Sequence, residues 1–288
     1  MTRKVWLVTG SVGGLGRAIT LAALDAGHQV VATARHPDRL ADLTRRYGAQ
    51  ILPQGLDVTD EAQGLAAVDA AVAAYGRLDV LVNNAGYADL RPFEQTPSED
   101  FRQVVETCLF GVVSMTRAAL PVMRFRQSGH IIQISSMGGR MAFPGSASYH
   151  AAKFAVGGFT DSVAAEVAPL GIVMTTLEPG GMRTNFGEAA EKTLTDVWPD
   201  YEASVGPVQK MLRQIRGHES GDPDKVAQLV LKLAQARRLP TRVVLGGDAL
   251  PMVQQADSMR SQTDARWEEI SRSIDVQSSG PIPTLPES

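Results

Sequence analysis

Short apolar runs alternate with longer stretches of helical periodicity from one end of the chain to the other. The runs fall at 5–8, 30–32, 51–52, 78–82, 130–134, 173–177 and 242–245, and the helical stretches at 17–26, 61–75, 101–123, 149–168 and 224–236. A strand with one face in water alternates apolar and polar residues; Val5-Trp6-Leu7-Val8 does not. Continuous apolar runs of this kind are buried on both faces. Their succession with helices predicts β-α-β units, an α/β fold whose doubly wound parallel sheet of about seven strands carries helices on both faces.

Punctuation supports the boundaries. Gly27 and Gly171 stand just past helical stretches, where a left-handed residue ends a helix. Asp222-Pro223-Asp224 reads as an N-cap with proline at the first helical position. The segment 185–221 breaks the rhythm and mixes charges with Trp198 and Tyr201. It is expected to form an insertion of short helices over one edge of the sheet, as a substrate-side lid. Residues 250–277 are expected to add a C-terminal helical extension to a single domain, 1–277. The tail 278–288, with three prolines, three serines and a glycine, is expected to be disordered.

Composition narrows the class. The 288 residues allow two domains, but α/β folds often run this long as one. With 44% apolar and 20% charged residues, most of the chain can bury a core. A net charge of −3 leaves no nucleic-acid footprint. One cysteine forms no internal disulfide, and five scattered histidines show no metal-ligand spacing. Arg3 and Lys4 before the first apolar run imitate a signal peptide, but the run is short and meets Gly10. No stretch approaches the ~18 uninterrupted apolar residues of a membrane span. The expectation is a soluble, cytoplasmic protein with no metal, membrane or nucleic-acid partner.

Thr9-Gly10-Ser11-Val12-Gly13-Gly14-Leu15-Gly16 follows the first strand and opens the first helix. In a Rossmann-type unit, Gly10 would allow the tight turn, Gly14 the close approach of a pyrophosphate, and Gly16 the packing of helix on strand. The helix N-terminus then offers free N–H groups to phosphate. A packed, glycine-rich turn is the bland alternative. An NAD site wants an acid about 20 residues further on, to hold the ribose 2′-hydroxyl. Here the second strand ends Thr33-Ala34-Arg35, with a guanidinium suited to a 2′-phosphate, so NADP(H) is favoured over NAD(H). A solvated surface arginine is the competing reading.

Tyr149 and Lys153 stand four residues apart, on one helix face. A free phenol has a pKa of about 10, and a nearby ammonium lowers it toward the range useful for proton exchange. Ser136 ends a buried strand, where its hydroxyl could hold a substrate oxygen. By themselves, Tyr and Lys at this spacing also occur on surface helices.

Together these pieces resemble the short-chain dehydrogenase/reductase family over residues 4–247. Leu56-Asp57-Val58 matches the segment that lines the family's adenine pocket, and Asn83-Asn84-Ala85-Gly86 the signature that ends its fourth strand. Ser136, thirteen positions before Tyr149, matches the catalytic serine, and Pro179-Gly180 with Thr184 the segment at the nicotinamide. The resemblance implies hydride transfer between nicotinamide and a carbonyl or carbinol carbon. Tyr149 would act as acid and base, Lys153 would tune it and hold the ribose, and Ser136 would orient the carbonyl oxygen. Cofactor contacts are expected from Gly10, Ser11, Gly13, Gly14, Leu15, Gly16, Arg35, Asp57, Val58, Asn84, Ala85, Gly86, Tyr149, Lys153, Pro179, Gly180 and Thr184.

The chain departs from the family at Cys108. In Glu106-Thr107-Cys108-Leu109-Phe110-Gly111 the thiol stands where the family usually has an asparagine that steadies a proton-relaying water. A thiol cannot repeat the amide's hydrogen bonds, so a weakened relay is expected. Met141, Phe143, Met182 and Phe186, with Ser136 and Tyr149, are expected to line the substrate site, with Trp198 and Met211 adding apolar surface. That lining suits a hydrophobic ketone or alcohol. The branch resembled holds hydroxysteroid dehydrogenases and ketoreductases, and its members commonly form homodimers or homotetramers. His150 is expected at the surface or the substrate rim. Two alternatives share the fold: a weakened NADP(H)-binding sensor, and an epimerase or dehydratase.

Overall fold

The structure is a computed structural model that describes residues 2–278 and 280–286. Seven strands form one sheet: β1 (Val5–Val8), β2 (Gln29–Ala34), β3 (Ile51–Gly55), β4 (Val80–Asn83), β5 (Gly129–Ile134), β6 (Ile172–Pro179) and β7 (Arg242–Leu245). Their order is β3-β2-β1-β4-β5-β6-β7, and every pair is parallel. The winding reverses between β1 and β4, which opens a crevice at their carboxyl ends.

The unbroken apolar runs follow from two cores. Trp6 and Val8 point into a layer with Ile19, Leu24, Val30 and Val230. Val5 and Leu7 point the other way, against Leu81, Met115, Met123 and Ile131. The first layer is covered by α1 (Gly14–Asp25). The polar helix α2 (Ala41–Tyr47) buries only Leu43, too little to leave a periodic signal in the sequence. The second layer is covered by α3 (Glu61–Tyr75) and by a long run made of α4 (Ser98–Val105), a π-helical turn (Glu106–Phe110) and α5 (Gly111–Arg126). That run of 29 residues is long and apolar enough to cross a membrane by length and composition alone. In the fold its Met115, Ala119 and Met123 are wholly buried against the sheet. Next comes α6 (Ala147–Val167), whose later turns join the same layer.

The segment 185–221 forms short helices as expected, α7 (Phe186–Glu191), α8 (Pro199–Glu202) and α9 (Gly206–Ile215). Its two ends meet where Met182 bridges Gly221. It does not simply cover a sheet edge. It reaches to the segment that leaves the central strand β4: Leu90 N–H donates to Thr193 Oγ1 at 3.0 Å, and Gln209 Nε2 donates to Leu90 O at 3.0 Å. Gln95 adds a bond from Nε2 to Asp196 O at 2.9 Å and accepts from Trp198 N–H at 3.0 Å. Main chain at Leu90 and the side chains of Gln95, Thr193 and Gln209 decide this docking, which hydrophobic periodicity does not register.

The chain closes with α10 (Pro223–Leu233) on the first core and a helical extension, α11 (Ala249–Arg266) and α12 (Glu268–Ser273). Asp222 caps α10 as read, accepting from the Asp224 and Lys225 amides. Of the expected disordered tail, Ser279, Glu287 and Ser288 lie outside the described residues. Residues 280–286 form no helix or strand.

Candidate active site

The glycine loop is shaped by main chain. Gly10 has φ +72° and Gly14 φ +54°, left-handed values that favour glycine. A Cβ on Gly16 would overlap the Gly10 carbonyl oxygen and Asn84 Nδ2, so helix and strand meet only because it has none. Gly13 caps α1 with no side-chain acceptor, which leaves the helix's first N–H groups to a ligand. Leu15 sends its side chain into the core, so only its main chain faces the crevice. Ser11 is a correction. Its hydroxyl donates to Val8 O at 2.9 Å and its N–H to Thr33 O at 2.9 Å, and it is fully buried. It supports the loop from beneath, because the turn aims it back at the strand ends.

Thr9, unread in the sequence, joins the loop to β4. Its Oγ1 accepts the N–H groups of Asn84 and Ala85 at 2.9 and 3.0 Å, while Asn84 Nδ2 donates to Thr9 O at 2.9 Å. Asn83 lies beneath, its Nδ2 donating to Gln133 Oε1 at 2.8 Å. Arg35 is exposed just past β2, and among the described residues it has no carboxylate partner. Asp57 Oδ1 is taken by the Thr59 N–H and hydroxyl, and Val58 packs so close to Gly111 that a Cβ there would lie 2.6 Å away.

At the other end of the crevice, α6 and the end of β5 bring together three of the expected residues. Tyr149 is 9% exposed and within hydrogen-bonding reach of Ser136. Lys153, 4% exposed, donates from Nζ to Ile134 O at 2.8 Å, and Nζ lies 5.6 Å from the Tyr149 ring centroid. Gly86 borders the group, with a Cβ position 3.2 Å from Cys108 Sγ and 3.6 Å from Lys153 Nζ.

The electrostatics differ from the sequence reading. Burial pushes the Tyr149 phenol above its ordinary value, and the Ser136 hydrogen bond is the influence that pulls it down. Burial also holds the Lys153 ammonium below its usual range. At the phenol burial outweighs the Ser136 hydrogen bond, and the Lys153 Nζ is turned to the Ile134 carbonyl. Cys108 sits on the π-helical turn, wholly buried, its thiol donating to Tyr87 O at 3.3 Å. π-Turns inside helices recur at functional sites.

Residues 4–195 match the family described as short chain dehydrogenase. Oxidoreductase BOA17 of Botryotinia fuckeliana is 44% identical over 93% of this chain and 98% of its own length. The chain belongs to the short-chain dehydrogenase/reductase family of oxidoreductases. A crystal structure of a short-chain dehydrogenase from Streptomyces avermitilis is 40% identical, with a TM-score of 0.87 over 95% of this chain and 100% of that one. The closed form of serine dehydrogenase complexed with NADP+ is 29% identical, with a TM-score of 0.72 over 84% and 94%.

The residues expected to line the substrate site come from distant segments. Phe186, 39% exposed, stands with its ring 5.9 Å from that of Tyr149, and Met141 is half-buried on the loop after Ser136. Met182 is a second correction. It is half-buried and packs against the core cluster that holds Leu15 and Ala227, with its Sδ against Gly221. Trp198 and Met211 are exposed on the insertion. His150 is a third correction: it is buried, 5% exposed, between Gly138 and Phe143. Sequence position alone could not show this, since neighbours on a helix diverge by about 100°.

Two unread residues close the frame. Asn185 lies over the glycine loop, its Oδ1 3.2 Å from where a Gly14 Cβ would be, and Thr184 is beside it. Asp248 Oδ2 accepts the Gly181 N–H at 2.9 Å and, with the bond from Gly180 N–H to Leu245 O at 2.9 Å, fixes the Pro179-Gly180 segment. Among the described residues, no cluster of three His, Cys, Asp or Glu side chains is placed to hold a metal ion.

Proposed function

We propose that this chain is an NADP(H)-preferring carbonyl reductase or secondary-alcohol dehydrogenase acting on a hydrophobic ketone and its alcohol. The observation that carries the reading is the meeting of buried Tyr149 and Lys153 with half-buried Ser136 at the end of a crevice whose other end is a glycine cradle. The cradle suits a dinucleotide: two glycines with positive φ, one forbidden Cβ and a helix start without a side-chain cap. A nicotinamide cofactor supplies the hydride; the side chains do the rest.

Tyr149, kept protonated by burial, gives its proton to the oxygen that becomes an alkoxide. Ser136 Oγ accepts from Gly138 N–H at 3.0 Å, and its O–H, shared with the Tyr149 oxygen, turns to hold the carbonyl oxygen when substrate enters. Lys153 spends one N–H on Ile134 O and keeps two for ribose hydroxyls. Cys108 keeps the backbone carbonyl of the relay position and loses the amide. Arg35, free of carboxylates, suits a 2′-phosphate, and a relative of similar fold is complexed with NADP+. Phe186, with its ring 5.9 Å from that of Tyr149, favours an apolar substrate. Phe110 and Phe154, exposed on the π turn and on α6, support a homodimer across those helices.

The test is a panel of hydrophobic ketones followed by loss of NADPH or NADH absorbance. Sustained NADPH consumption with alcohol formed supports the reading. Cofactor binding without consumption supports a sensor instead.

A further inference from the structure

His150 stands beside the expected acid on α6, yet its imidazole is turned into the protein and spans the loop after Ser136. One ring nitrogen, Nδ1, lies 2.9 Å from the Gly138 carbonyl oxygen. The other, Nε2, accepts the Phe143 N–H at 3.3 Å. The Phe143 ring stands edge-on to the imidazole, with centroids 4.4 Å apart and planes at 88°. Because a carbonyl only accepts and an amide N–H only donates, these partners require a neutral ring with its proton on Nδ1.

The two partners are not incidental. Gly138 also donates its N–H to Ser136 Oγ at 3.0 Å, so a single peptide neighbour links the imidazole to the serine hydroxyl. A Cβ on Gly138 would lie 2.9 Å from Nδ1, so glycine is needed there for the ring to seat. Gly139 follows with a Cβ position 2.7 Å from Lys153 O, which lays the loop directly on the helix that carries Tyr149 and Lys153. Phe143, at the loop's far end, is an expected wall of the substrate site.

We propose that His150 is a positioning residue, a neutral Nδ1–H strut that sets Ser136 through Gly138 and the apolar wall through Phe143. Its two nitrogens divide the work. Nδ1 governs the geometry of the hydroxyl that meets the reacting oxygen, and Nε2 governs the wall that meets the rest of the substrate. The proposal rests on the reading of Ser136 as the carbonyl-orienting group.

Three full-length variants, assayed with NADPH and a ketone that the unaltered protein reduces, separate those tasks. His150→Phe keeps the ring and drops both hydrogen bonds; it should lower kcat and raise KM for the ketone, each by about tenfold, with the Kd for NADPH unchanged within about twofold. His150→Asn keeps a donor near Nδ1 for Gly138 and should recover most of kcat. His150→Gln keeps an acceptor near Nε2 for Phe143 and should recover most of KM. If His150→Phe matches the unaltered protein in both constants, or if neither amide recovers either constant, the strut is overturned.

A second measurement does not depend on turnover or on any variant folding. The ¹⁵N shifts of His150 in the unaltered protein should report a protonated Nδ1 and an unprotonated Nε2 at neutral pH. The opposite tautomer, or an imidazolium, overturns the proposal. A protein that shows the expected tautomer but reduces no ketone would sink the functional reading and leave the strut supported.

Discussion

At the glycine loop, positions are set by main chain: Gly10 and Gly14 at positive φ, Gly16 with no room for a Cβ, and α1 opening without a side-chain cap. At the proposed substrate end they are set by side chains from distant segments. His150 holds the loop after Ser136, Gln209 and Gln95 hold the insertion, and Asp248 holds the glycines after Pro179. The first kind of construction binds a constant feature, a phosphate, with groups every residue owns. The second shapes a variable feature and changes whenever one side chain does. The proposed acid lies at the seam, where Tyr149 belongs to a core cluster with Cys108 and Val104.

The largest expected effect tests that seam. Tyr149→Phe should cut turnover by roughly 10²–10⁴-fold and leave the Kd for NADPH nearly unchanged. Retained turnover would remove the phenol as proton donor. A change at the main-chain end should instead be felt in stability and cofactor binding together. Gly16→Ala forces a methyl onto the Gly10 carbonyl and should cost roughly 1–3 kcal/mol in denaturant unfolding, with weakened NADPH binding. An unaltered midpoint would mean that the loop yields easily and that its glycine is not required.

Smaller effects sharpen the contrast. Arg35→Asp removes a guanidinium and supplies a ribose acceptor, so the ratio of kcat/KM for NADPH over NADH should fall by about tenfold or more. An unchanged ratio would put Arg35 outside the cofactor site. The smallest is Cys108→Asn. An amide in place of the thiol that donates to Tyr87 O should raise kcat about two- to fivefold, the scale of one modest hydrogen bond. An equal or lower rate would exclude a relay through that side chain.

Much of the fold was legible because its signals are local and repeated. All seven strands were marked by apolar runs, since a strand covered on both faces has no polar alternation to obscure it. The polar helix α2 was not marked, because it buries only Leu43, with Tyr47 packed in part against the core. In the site, residue type and spacing alone left Tyr149 and Lys153 open to a surface reading, and the trio with Ser136 was legible only through the glycine loop and the family resemblance; the structure brings the three together. Ser11 was misread because residue type does not reveal direction; its hydroxyl turns under the loop to Val8 O, and Met182 packs in part against the core. Asn185 and Asp248 were unread, since each acts on glycines far away in the chain.

By itself the sequence determined the parallel α/β architecture, the glycine loop and the identity of the groups able to move a proton. Those depend on periodicity, on backbone freedom and on chemical type, all of which reside in the residues themselves. Tertiary structure decided the rest: that His150 faces inward, that the insertion leans on the segment after β4, and that burial raises the Tyr149 phenol although Lys153 is near. Direction, docking and desolvation are relations between segments far apart in the chain, and only the packed protein brings those segments into contact.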